Sequence, residues 1–293
     1  MAAEGGSGGM TSHRLQLPHG TSPQTVLTMI HNVLPDAEAG EHGIDLGDGA
    51  RLVEDERRPA RWTLHTPRVR DVEPSDGLPD SHGYGRAFQD GMPYGQERRL
   101  LDLVWSLARR LDGAVVTDSR QRLEPHPCHV RDLAVTSPHA LQAEDLLELV
   151  QSVEPEATLV PVPPGAETSG YMLQIPLGVP DTGQGIRMSG AGTVLIAADE
   201  DEAEDEIHVR VGGTRAPAAL AALPWLEDAV DYEIVHLPVD EAEVEVDVPD
   251  ERTALRWAEI YRRIGLLAGV IVETVGGYVV DLEGFLVDPA DLV

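Results

Sequence analysis

The residues with the most chemical capacity stand in a row at 126–129, where His126, Pro127, Cys128 and His129 are followed by His139 ten positions on. Imidazole and thiolate are ligands that zinc prefers, and a thiolate beside an imidazole is a pair used in covalent catalysis. A structural zinc site needs paired ligands at short, repeated spacing, and one thiolate with a proline inside the cluster does not supply it. A cysteine nucleophile needs a positioned base, and with 11 histidines in the chain spacing alone does not single one out. The stretch is read as a connecting segment, with no metal, no cofactor and no catalytic residue assigned.

A second concentration lies at 81–95, SHGYGRAFQDGMPYG. Aromatic residues make up 4% of the chain, yet Tyr84, Phe88 and Tyr94 gather here with Arg86 and Met92 among glycines. Tyr, Met and Arg join large contact area to directional bonding, which is why they are enriched at binding hot spots. The expectation is a partner-binding segment made of Tyr84, Arg86, Phe88, Met92 and Tyr94. The competing expectation is that the rings fold back over their own sheet.

Other stretches carry less. SGAGT at 189–193 precedes a strand-like run rather than a helix, so it reads as a turn and not as a dinucleotide loop. The run DEDEAEDE at 199–206 lacks the ligand spacing and central glycine of a calcium loop and is expected as a solvated hairpin end. No GxSxG, HExxH, P-loop or kinase signature occurs. All 22 basic residues are Arg, which removes Schiff-base chemistry and the lysine-dependent phosphate sites.

Charge narrows the partners. The net charge of −29 is concentrated: residues 1–137 hold 15 Arg against 20 Asp and Glu, whereas residues 138–293 hold 7 Arg against 31. Nucleic acid binding rests on cationic contacts to phosphate, so no nucleic acid partner is expected. A basic protein partner is compatible with the excess, as is plain solubility. The N-terminal stretch has neither a basic nor an apolar signal region, no run suffices to span a bilayer, and Cys128 stands alone. No membrane and a cytoplasmic location are expected; oligomeric state is not readable.

The elements that position these groups are legible through an internal echo. TVLTMIHNVLPDA at 25–37 and DLLELVQSVEPEA at 145–157 align at an offset of 120, with apolar residues at helical spacing and a proline at each end. A second match at an offset of 156 sets Leu101, Val104, Trp105, Ala108, Leu111 and Gly113 on Trp257, Ile260, Tyr261, Ile264, Leu267 and Gly269. It predicts a helix, a glycine stop and a strand in each copy, AVVT at 114–117 and VIVET at 270–274. Strand-like segments precede each first helix and lie between the two helices. The predicted fold is α+β, two tandem ferredoxin-like (split βαβ) repeats, each an antiparallel sheet covered by two helices. Residues 1–12 are expected as a disordered N-terminus, 13–130 as the first repeat, and 131–293 as the second, carrying an acidic β-rich insertion. With no catalytic constellation in view, the expected function is a non-catalytic protein-interaction or adaptor module. The alternative is an enzyme or small-molecule binder with its site in the cleft between the repeats.

Overall fold

The structure, a computed structural model, describes residues 9–71, 80–161, 170–178, 188–189, 192–193 and 205–292. In the first half, strand β1 (Met10–Gln16) leads to helix α1 (Pro23–Ile30), then to β2 (Glu38–Gly40), β3 (Gly43–Gly47), β4 (Ala50–Glu54) and β5 (Arg61–Pro67). The short pieces β6 (Arg70–Asp71), α2 (Tyr84–Ala87) and β7 (Met92–Pro93) precede α3 (Gly95–Arg110), β8 (Ala114–Val116) and β9 (Arg122–Leu123). The second half runs β10 (Leu133–Ser137), α4 (Ala143–Gln151), β11 (Thr158–Leu159), β12 (Tyr171–Pro176), the pair β13 (Met188–Ser189) and β14 (Gly192–Thr193), then β15 (Glu206–Gly213). It closes with β16 (Val230–Leu237), α5 (Glu251–Val275), β17 (Tyr278–Asp281) and β18 (Leu286–Val287).

These strands form two seven-stranded antiparallel sheets, ordered β2-β3-β4-β5-β1-β8-β9 and β11-β12-β15-β16-β10-β17-β18. In both, the opening strand lies fifth, between the strand that precedes the long helix and the one that follows it. Alternation along the strands puts Leu15, Leu52, Trp62, Leu64 and Val115 against Val26 and Ile30 of α1 and the apolar stripe of α3. The second core sets Val135, Val209, Tyr232, Ile234 and Val279 against Leu146 and Val150 of α4 and the stripe of α5. Val280, one residue on and so facing the other way, packs with Leu220, Leu226 and Ala229. The segment joining β15 to β16 thus covers part of the second sheet's far face.

Helix ends follow local chemistry. The Ser22 hydroxyl accepts from the Thr25 N–H at 3.0 Å and Pro23 occupies the first turn of α1. Asp250 caps α5 by accepting from the Thr253 N–H at 2.7 Å.

The long helix corrects the second sequence match. VIVET at 270–274 is helical, because Ile264, Leu267, Ala268, Ile271 and Val275 continue one buried stripe past Gly269. The stop comes at Gly276, with φ +69°, so the pair 276–277 ends the helix and leads into β17. Strand register gives the correspondence. Leu15 pairs with Val115 and Val135 pairs with Val279, which sets Gly113 on Gly277 at an offset of 164. A side chain on either glycine would overlap a carbonyl of the opening strand, Gln16 for Gly113 and Thr136 for Gly277. The opening strand itself starts at Met10, three residues inside the stretch expected as disordered; residues 1–8 lie outside the described residues, as do 194–204 of the expected insertion.

The halves interlock. Phe285, in the turn between β17 and β18, is 2% exposed and belongs to the first half's core. The Arg110 guanidinium lies 3.6 Å over its ring and pairs with Asp281, while Arg109 donates to Asp281 at 3.1 Å. The Leu286 N–H donates to Asn32 Oδ1 at 2.9 Å. No described helix is long and apolar enough to cross a membrane.

Candidate functional site

The segment 81–95 folds inward. Tyr84 is fully buried and Phe88 is 3% exposed, their rings edge to face at 5.6 Å within the first core. Burial holds the Tyr84 phenol well above its ordinary range. Arg98 lies over the Tyr84 ring at 4.4 Å and Arg70 over Phe88 at 4.3 Å. Met92 packs on the same core, and Arg86 donates to Asp247 of the second half at 2.6 Å. Of the five residues Tyr94, 64% exposed, and Arg86, whose side chain is 45% exposed, present surface to solvent. Tyr84 and Phe88 therefore occupy the positions expected of rings folded back over the sheet and offer no face to a partner.

Behind Phe88 lies a buried polar network that sequence spacing did not reveal. The Asp118 N–H donates to His13 Nδ1 at 3.2 Å, so Nε2 carries the proton and faces Glu97 Oε1 at 3.2 Å. Glu97 also accepts from the Val69 N–H and from Arg70, and its carboxyl stays low despite burial because His13 and Arg70 bond it. Each member is satisfied by another, which makes the network a clamp on β6 and α3.

The 126–129 cluster does not assemble a reactive couple. The Cys128 N–H, not its thiol, bonds His126 Nδ1 at 3.1 Å, and burial pushes the thiol up, away from thiolate. Among the described residues no three His, Cys, Asp or Glu side chains gather in metal-ligating geometry. His129 instead stacks edge on against Trp105 at 5.0 Å and Trp257 at 5.5 Å, filling the joint between halves. The end of the acidic run is also structural. Asp205, 2% exposed, accepts from Arg256 at 2.7 Å and from the Val239 N–H at 2.8 Å, and faces His236 Nε2 at 3.4 Å. Arg131 donates to His236 Nδ1 at 3.0 Å, so that imidazole is neutral, its pKa lowered to about 4 by burial and the Arg131 charge.

Two open cavities adjoin the elements described above. One of about 340 Å³ lies at the joint, walled by Val33, Leu103 and Phe285 and edged by His82, Asp102 and Glu283. Burial and Arg98 lower His82 to about 4, and burial raises Asp102; Glu283 is buried too, yet Arg109 and Arg110 hold it low. Among the described residues the His82 ring bonds the hydroxyl of its own chain neighbour Ser81, through Nδ1 at 3.3 Å.

The other cavity, about 510 Å³, opens between α1, the β2–β3 hairpin and β4. Pro23, Leu27, Ile44 and Val53 give it apolar sides, Glu41, Glu54 and Glu56 give it three carboxylates, and no Arg lines it. Trp62 on β5 is 2% exposed and forms part of the wall, and its indole N–H has no acceptor among the described residues. A buried donor left unpaired costs about 1–3 kcal/mol, so this N–H is a place where a ligand gains. The sequence signal was faint: three glutamates from two segments, and a tryptophan indistinguishable by pattern from a core residue. Comparison with known proteins finds no matching family model, no matching curated relative and no matching solved structure.

Proposed function

We propose that this is a non-catalytic interaction module of the cytoplasm that receives a positively charged partner in the cavity under α1. The observation that carries the reading is the wall itself: carboxylates at Glu41, Glu54 and Glu56 around a buried tryptophan, with His42 beside them and no Arg among the lining residues. Such a wall attracts ammonium or guanidinium groups by charge and by the ring face. Glu54 Oε1 accepts from the Ala60 N–H at 3.2 Å, which fixes that carboxylate for recognition. The net charge of −29 adds a long-range pull on a basic protein and repels nucleic acid.

The scaffold is read as two tandem ferredoxin-like repeats, the second with an acidic β-rich insertion. The matching strand order and the Gly113 and Gly277 stops support it. Calorimetric titration of the protein with an arginine-rich peptide tests the function. Saturable binding that weakens in Glu54→Gln/Glu56→Gln is expected, and equal binding of an acidic peptide of the same length would sink it. The alternative, a small-molecule site at the joint, draws on the 340 Å³ cavity and is read by whether His82→Ala alters binding of any compound retained by the native protein.

A further inference from the structure

Trp62 and Tyr232 hold the same place in the two sheets. Trp62 pairs with Leu15 on one side and Glu54 on the other; Tyr232 pairs with Val135 and Val211. Their polar atoms are treated differently. The Tyr232 hydroxyl donates to the His139 carbonyl and accepts from the Leu141 N–H, both at 2.8 Å, and the Tyr171 hydroxyl donates to the Leu141 carbonyl at 2.7 Å. A stretch of the second half's own backbone, ahead of α4, thus lies against that position. Ahead of α1 the chain takes another course. The Leu17 N–H bonds the Ala60 carbonyl at 2.9 Å, and no carbonyl reaches the Trp62 N–H among the described residues.

We infer that Trp62 is the specificity residue of the cavity and that the ligand is a basic residue within a polypeptide. Its peptide carbonyl accepts from the Trp62 N–H, while its side-chain cation meets Glu41, Glu54 and Glu56. The second half shows that a backbone carbonyl is what a polar atom at this position takes, and the empty counterpart in the first half is bordered by carboxylates. A free amino acid is disfavoured, because its own carboxylate would enter an anionic wall. An alkyl guanidinium satisfies the charges and leaves the N–H unpaired.

The inference rests on the proposed function and separates from it by experiment. The native protein is titrated with Nα-acetyl-arginine methylamide, with free arginine and with butylguanidinium, following the indole N–H resonance of Trp62 and the affinity. The blocked residue is expected to bind roughly five- to tenfold more tightly than butylguanidinium, the worth of one net hydrogen bond, and to move the Trp62 N–H resonance downfield. Trp62→Phe should erase that preference while leaving butylguanidinium unaffected. Equal binding of the two in the native protein, or a preference that survives Trp62→Phe, overturns the inference alone, since the peptide carbonyl then does not reach the N–H. Free arginine binding as well as the blocked residue overturns the polypeptide source. Binding by none of the three overturns the cavity reading and this inference with it.

Discussion

Phe88 touches a cation on one side and two rings on the other: Arg70 over its face, His13 at 5.8 Å and Tyr84 at 5.6 Å. Phe88→Ala is therefore expected to cost about 3–5 kcal/mol, a drop in melting temperature of roughly ten degrees, whereas Tyr94→Ala changes it by no more than a degree or two, at about 0.5 kcal/mol. Paired thermal melts decide. Tyrosine and phenylalanine serve cores and interfaces alike, so their clustering at 81–95 could not say which; what decided was an Arg guanidinium arriving from 27 residues away in the Glu97 network. Acid sensitivity also belongs to this scale. His82, His129 and His236 each have a folded pKa of about 4 against an ordinary 6.5. Between those values the unfolded chain binds protons that the folded chain refuses, so stability is full above 6.5, falls as pH drops toward 4, and these groups take no more below it. Denaturant midpoints across that window should decline steadily, and a flat profile refutes the burial of these imidazoles.

At the scale of elements, the close approach of Gly277 to the Thr136 carbonyl makes Gly277→Ala a test of how α5 enters its sheet. Its φ of +102° adds backbone strain, so a loss of about 2 kcal/mol or more is expected in chemical unfolding, and Asp250→Ala, at the other end of the helix, should cost about 1 kcal/mol. The first helix of each half was readable because α1 and α4 are short, amphipathic and each followed within a few residues by proline. VIVET was misread because β-branched residues favour strands only weakly, and the buried stripe of a 25-residue helix outweighs that preference. The β2–β3 hairpin was missed altogether. Only Ile44 and Leu46 of it reach the core; its other residues are Glu, Ala, Gly and Asp, too few apolar positions to read as a strand pair, and the hairpin shapes the rim of the candidate cavity.

For the whole molecule, the joint is the controlling feature. Asp281 is 5% exposed and accepts from both Arg109 and Arg110, so Asp281→Ala leaves the two guanidinium groups to share Glu283 and is expected to cost about 1.5–3 kcal/mol, the worth of a hydrogen bond to a charged group. The native chain should unfold in one transition and the variant in two, one for each half, by differential scanning calorimetry. Such a contact was invisible in the sequence because its partners are separated by 172 positions, beyond the reach of any periodic pattern.

The placement of Phe285 in the first half's core bears on how the protein is made. Synthesis proceeds from the N-terminus, so the ribosome completes the first sheet at Leu123 long before it adds the ring that fills that sheet's core. At about 5–20 residues per second, the interval is roughly ten to thirty seconds, during which the nascent first half carries an open apolar socket beside Val33 and Arg110. The newborn chain is thereby exposed to chaperones, and to the wrong neighbours, until Phe285 arrives.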